Sequence, residues 1–79
     1  MKVSVDIRVA GSGDVGIGVD SGFSDGAEVP CGQQMVSAQT WQRREFIADV
    51  EPDALYIELK VKAFDDVRGW IGTIILSAP

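Results

Sequence analysis

Catalysis by side chains needs a nucleophile with a base beside it, and this sequence is poor in both. Cys31 is its single cysteine and it has no histidine. The usual partner that activates a serine or a thiol is therefore missing, and Cys31 reads as a small apolar group. Glu45, Asp49, Glu58, Asp65 and Asp66 are numerous enough for a paired-carboxylate glycosidase, but that chemistry sets two acids across a cleft in contrasting environments. Most of these acids fall at the polar positions of alternating stretches, where solvated surface charge accounts for them, and so small a chain has little core from which to build a cleft. Gly11, Gly13, Gly16 and Gly18 imitate a phosphate-binding loop. Such a loop must open a helix whose N-terminus meets the anion, and alternating β-type sequence follows instead. We expect no catalytic residue, no cofactor and no metal, and hence no enzyme.

Binding is the chemistry left. Sugar rings stack on exposed aromatic faces, so Tyr56, Trp70 and Phe23 are candidates for a platform. Trp70 fits a subunit contact equally well, because tryptophan is enriched at interface hot spots. Val29 joins them as an isolated apolar point in a polar stretch. These four, Phe23, Val29, Tyr56 and Trp70, are the expected interface or ligand contacts. The formal charge of −5, from 12 acidic against 7 basic residues, repels phosphates, and no basic cluster offsets it, so nucleic acid is not an expected partner.

The elements that must position these residues are strands. Val3, Val5, Ile7 and Val9 alternate with Lys2, Ser4, Asp6 and Arg8, which gives a strand with one buried and one wet face. Gly11-Ser12-Gly13-Asp14 supplies turn residues, after which Val15, Ile17 and Val19 restart the alternation, so a β-hairpin is predicted. Gly16 and Gly18 would leave one face of its second strand flat, open to another backbone or a large ring. From Asp20 to Gln34 turn formers dominate, and a long functional loop is predicted. Trp41 to Val50 reads as a strand with Phe46, Ala48 and Val50 on one face, ended by Glu51-Pro52-Asp53. Leu55 to Ala63 alternates again, Phe64 to Gly69 turns the chain, and Trp70 to Ser77 is apolar on both faces, which suits a central or covered strand. The expected fold is all-β: one domain over residues 1–79, a small antiparallel β-sandwich or partial jelly roll of about five to six strands.

Size bears on how such a domain stays folded. At 79 residues a single core barely offsets the entropy of folding, and small domains lean on disulfides, metals or neighbouring subunits. The lone cysteine and the absence of histidine leave oligomerisation. The alternating start, Met1-Lys2-Val3-Ser4-Val5-Asp6, has no apolar core of signal-peptide length, and Ile74-Ile75-Leu76 is far short of the roughly 20 residues that cross a bilayer. A soluble protein without a secretion signal or membrane partner is expected.

The order of these features resembles the second half of the jelly-roll β-sandwich shared by many carbohydrate-binding modules and by adhesion or tail-associated domains of bacteriophages. Val3-Ser4-Val5-Asp6-Ile7-Arg8-Val9 stands where such domains have an early alternating strand. Thr40-Trp41-Gln42-Arg43-Arg44-Glu45-Phe46 resembles their Trp-Gln-Arg strand opening, followed by Pro52, Leu55-Tyr56-Ile57-Glu58-Leu59 and Gly72-Thr73-Ile74-Ile75-Leu76. The resemblance implies that Trp41 is a core plug. It also brings to mind a structural calcium ion, but Asp65 and Asp66 precede the closing strand and read as a solvated turn. Strands expected before Val3 are absent, which would leave an edge or face to be covered by another chain. The function expected on these grounds is that of a structural or accessory subunit of a phage-like virion, a capsid decoration or tail-associated protein that forms a homo-oligomer or larger assembly. It would reside in the virion, or in the host cytoplasm during assembly. A polysaccharide-binding module is the alternative, and an acidic inhibitor protein the second alternative.

Overall fold

The computed structural model describes residues 1–78. Period-two alternation produces six strands: β1 (Lys2–Gly11), β2 (Asp14–Gly22), β3 (Glu28–Val36), β4 (Gln42–Ile47), β5 (Tyr56–Phe64) and β6 (Val67–Ser77). They form two three-stranded antiparallel sheets, ordered β4-β1-β6 (sheet A) and β3-β2-β5 (sheet B). The all-β sandwich expected from the alternation is the fold observed.

The two strongest alternating strands take the central place in each sheet. Val3, Val5, Ile7 and Val9 of β1 and Val15, Ile17 and Val19 of β2 are buried between the sheets. Val36, Ala38 and Ala48 complete the core, and Phe46 packs against both of its clusters. A central strand has neighbours on both edges as well as a facing sheet, so its inward side chains lose water completely.

The predicted hairpin is corrected here. β1 and β2 are consecutive but do not pair; the chain passes from sheet A to sheet B at Gly11–Asp14, and β5 passes back to β6 at Phe64–Val67. The two corners lie against each other. The Ser12 amide donates to the Asp66 carbonyl at 3.1 Å, and Gly11 is paired with Val67. Glycine is required at this crossing: a Cβ on Gly11, whose φ is +110°, would sit 2.3 Å from the Asp66 carbonyl oxygen, and one on Gly13 would sit 1.8 Å from that of Phe64. The turn chemistry was legible, but alternation reports which way side chains point and not which strand lies beside which.

The long loop predicted from Asp20 to Gln34 is also a correction. β2 and β3 run through it as a hairpin closed at Phe23–Ala27, where the Phe23 amide donates to the Ala27 carbonyl at 3.0 Å. Pro30 is accommodated because β3 is an edge strand with a bulge opposite Val19–Asp20. Trp41, the expected core plug, is 53% exposed and lies over Gly72 on the outer face of sheet A. The strand after it is shorter than expected and ends at Ile47. Strand β6, apolar on both faces, is an edge strand and not a central one.

The lateral sides of the sandwich differ. On one, β3 and β4 are joined: the Asp49 amide donates to the Cys31 carbonyl at 2.9 Å, and a Cβ on Gly32 would be 2.9 Å from the Ala48 backbone. On the other, β5 and β6 lie near one another without forming a ladder.

Ile7→Ala is expected to lower the unfolding free energy by about 2–5 kcal/mol, read from urea denaturation. Gly13→Ala should be comparably damaging because backbone, which cannot swing aside, occupies the space. Gly26→Ala, at φ +84° with open space around it, should cost only about 1–2 kcal/mol.

Candidate functional site

Two surfaces of the sandwich are unusual, and both follow from the edge strand β5. The first is the outer face of sheet B. Gly16 and Gly18 of β2 contribute no side chains there, and the edge strands rise on either side: Gly16 pairs with Met35 and Lys62, Gly18 with Gln33 and Lys60. The result is a trough of about 200 Å³ whose lining includes these residues with Asp20, Pro30 and Phe64. Met35 and Phe64 close in over Gly16, where a Cβ would be 3.1 Å from one and 3.2 Å from the other, while the space above Gly18 is open to 3.8 Å. The flat strand face inferred from the interleaved glycines is thus real, and it carries walls that the sequence did not identify. Lys60, Lys62, Met35 and Phe64 belong to it because of strand register alone.

One end of the trough is a charged cluster. Lys60 reaches the Asp20 carboxylate at 2.7 Å and Glu28 at 3.7 Å, and the Asp20 contact raises the lysine further above its ordinary value. The Glu28 and Glu58 carboxyls share a hydrogen bond. It holds Glu28 below the usual carboxylate range, and the same hydrogen bond with the Glu28 charge holds Glu58 above it. Beyond them the Tyr56 ring covers Gly22, leaving no room for a Cβ there. The Tyr56 hydroxyl donates to Glu28 at 3.2 Å; partial burial and then the Glu28 contact raise the phenol.

The second surface is the open side between β5 and β6. Cross-strand partners share a face, so Leu59 and Val61, opposite Val19 and Ile17, point inward, as do Ile74 and Leu76 opposite Val5 and Val3. A closed sandwich would bury all four. Leu59, Val61, Ile74 and Leu76 are instead between 37% and 53% exposed, because among the described residues nothing lies lateral to the two edge strands. Contiguous exposed apolar surface bordered by polar residues marks contact sites.

The four residues singled out by type divide into two places. Phe23, Val29 and Tyr56 lie at the β2–β3 hairpin end of sheet B, but Tyr56 shares the face of Gly22 and Val29 the opposite face of Ser21. Trp70 lies elsewhere, on the outer face of sheet A, with the Arg8 guanidinium 4.7 Å above its ring. They do not form one platform. Around Trp70 the outer face of sheet A is tied by polar contacts: Ser4 and Lys2 both meet Glu45, at 3.0 and 3.3 Å, and Arg43 meets Asp6 at 3.0 Å. Asp65, at φ 62°, and Asp66 form the exposed corner. Among the described residues no three acids or cysteines converge as a metal would need. Cys31 is half-buried, its thiol donating to the Val19 carbonyl at 3.3 Å.

No protein-family model, no curated protein and no solved structure matches this chain. What it does must be read from its own surfaces.

The hydrogen bond from Arg43 holds the Asp6 carboxyl below its ordinary value of 3.8. A depressed folded pKa means that the contact stabilises above the ordinary value and is lost as pH falls through the folded one. Asp6→Asn should therefore lower Tm at pH 7, and its melting curve should converge with that of the wild type as pH falls below the ordinary carboxyl value.

Proposed function

We propose that this chain is a non-catalytic assembly subunit, a structural or accessory component of a phage-like particle such as a capsid decoration or tail-associated protein. The observation that carries the reading is the open side, where Leu59, Val61, Ile74 and Leu76 remain part-exposed along two long edge strands. Isolated domains blunt such edges with proline, bulges, charge or covering segments. β3 has its proline and bulge, and β4 is short and joined to β3 through Asp49. Leaving the opposite side uncovered is costly for a solitary molecule and useful for one that docks against another. The resemblance of the order of its sequence features to tail and decoration domains motivates the setting. Genes adjacent to this reading frame that encode capsid or tail proteins would support that setting.

Association is expected at micromolar concentration in light scattering. Ile74→Ser and Leu76→Ser should each weaken it about fivefold, from about 1 kcal/mol of lost apolar burial, with a smaller fall in Tm than Ile7→Ala because both side chains are already part-exposed in the single molecule. A monodisperse monomer would remove the reading.

A second reading, a polysaccharide-binding module, is favoured by the trough above Gly18. Its glycine floor accepts the flat face of a sugar ring, and Gln33, Lys60, Lys62 and Asp20 offer donors and acceptors at its walls. Under this reading Gly18→Val fills the trough and abolishes retardation in affinity gels cast with polysaccharide, while Ile74→Ser leaves it intact. Wild-type mobility unchanged across a polysaccharide panel would dismiss it.

A further inference from the structure

The assembly reading leaves open what covers the open side, and the register of β5 answers it. Each of the other edges carries an obstacle to strand addition. β3 holds Pro30 and its bulge, β4 is short and zipped to β3, and β6 shifts register opposite Asp6, where Gly72 and Thr73 face one partner residue. β5 pairs with β2 without interruption from Tyr56 to Phe64 and contains no proline. It is a regular, free edge nine residues long, the kind that templates another strand.

Its charges are arranged unevenly along that edge. On the outer face Glu58 precedes Lys60 and Lys62, and on the inner face Ile57, Leu59 and Val61 are all apolar. An antiparallel partner strand meets its own opposite end, so an acidic first half and a basic second half are complementary to a second copy of themselves. Centring the twofold on Leu59 sets Glu58 opposite Lys60 of the second copy, and Lys60 opposite Glu58 of that copy. Tyr56 then faces Lys62 of the second copy. On the inner face Leu59 meets Leu59, and Ile57 meets Val61. Centring on Glu58 or on Lys60 puts two like charges against each other, and centring on Val61 sets Lys60 against Lys62 twice. A slip of one residue places inward side chains against outward ones.

Resting on the assembly reading, we infer that two copies of this chain pair antiparallel along β5 about a twofold axis at Leu59, joining their B sheets into one six-stranded sheet. The arrangement supplies what the single molecule lacks. The neighbouring Glu28 raises the Glu58 carboxyl above its ordinary value; the second copy brings a cation opposite it. The exposed inner residues of β5 gain neighbours, and Ile74 and Leu76 on the adjacent β6 come close to the axis.

Charge exchange tests this pairing. Glu58→Lys sets lysine against Lys60 at both symmetric positions, and Lys60→Glu sets glutamate against Glu58. Each variant alone should associate at least tenfold more weakly than wild type, with far-UV circular dichroism unchanged. Mixed in equal amounts they restore both opposite-charge pairs, so a heterodimer should form in native mass spectrometry. Independently, in a Cys31→Ser background, Leu59→Cys should be linked by a short bismaleimide into a covalent dimer. Lys62→Cys should not be, since the two copies of that position stand six residues apart along the ladder, roughly 20 Å. A monomeric wild type overturns both this pairing and the assembly reading. An oligomer that survives both single variants, that does not reform when they are mixed, or that links through Lys62→Cys in preference to Leu59→Cys, overturns the pairing alone.

Discussion

The structure depends on the burial of two strands that never pair with each other. β1 and β2 each occupy the middle of a three-stranded sheet, and their inward valines and isoleucines make up most of the fully buried core. That arrangement is possible only because the chain can cross between sheets at Gly11–Asp14 while the β5–β6 corner lies against it, two backbones approaching closer than any Cβ would allow. Each flanking strand then adds one partly covered row, and how well that row is protected depends on what lies beyond it. On the β3/β4 side the segment after β4 folds over and bonds to Cys31. On the β5/β6 side no described segment does so.

This asymmetry explains why the surface is so unevenly apolar. Outer faces are well supplied with polar contacts: Lys2, Ser4, Asp6 and Arg8 find Glu45, Arg43 and the Trp70 ring on sheet A, and Asp20, Glu28 and Lys60 form their own cluster on sheet B. At the lateral opening Leu59, Val61, Ile74 and Leu76, which point toward the core, remain part-exposed. A hydrophobic core between three-stranded sheets is leaky at a margin whose edge strands nothing covers, and a neighbouring surface can seal it.

Much of this was legible in the sequence, though unevenly. The faces of β1, β2, β4 and β5 follow directly from Val3 to Val9, Val15 to Val19, Phe46 and Ala48, and Ile57 to Val61. Partnership was not legible, since the same alternation serves a hairpin and a sheet-to-sheet crossing equally well. The stretch around Gly22, Pro30 and Gly32 read as loop because those residues usually break strands. Here Gly22 accepts the Tyr56 ring, Gly32 accepts the Ala48 backbone, and Pro30 sits at a bulge on an edge. β6 read as covered because both of its faces are apolar, and a sequence cannot say whether the cover comes from its own chain. The trough was half legible: glycine at 16 and 18 announced a flat floor, but its walls come from strands whose register only the fold reveals.

The pairing of β1 with β6 joins Lys2 to Ser77 and Gly11 to Val67, so the most deeply buried strand is flanked by one some seventy residues distant at its far end. Until β6 docks, β1 has β4 on one edge and bare amides and carbonyls on the other, and its valines lack part of their cover. Closing so wide a loop places folding in the slow regime of chains dominated by distant contacts. Before it closes, the half-laced sheet offers an open edge that another molecule can reach.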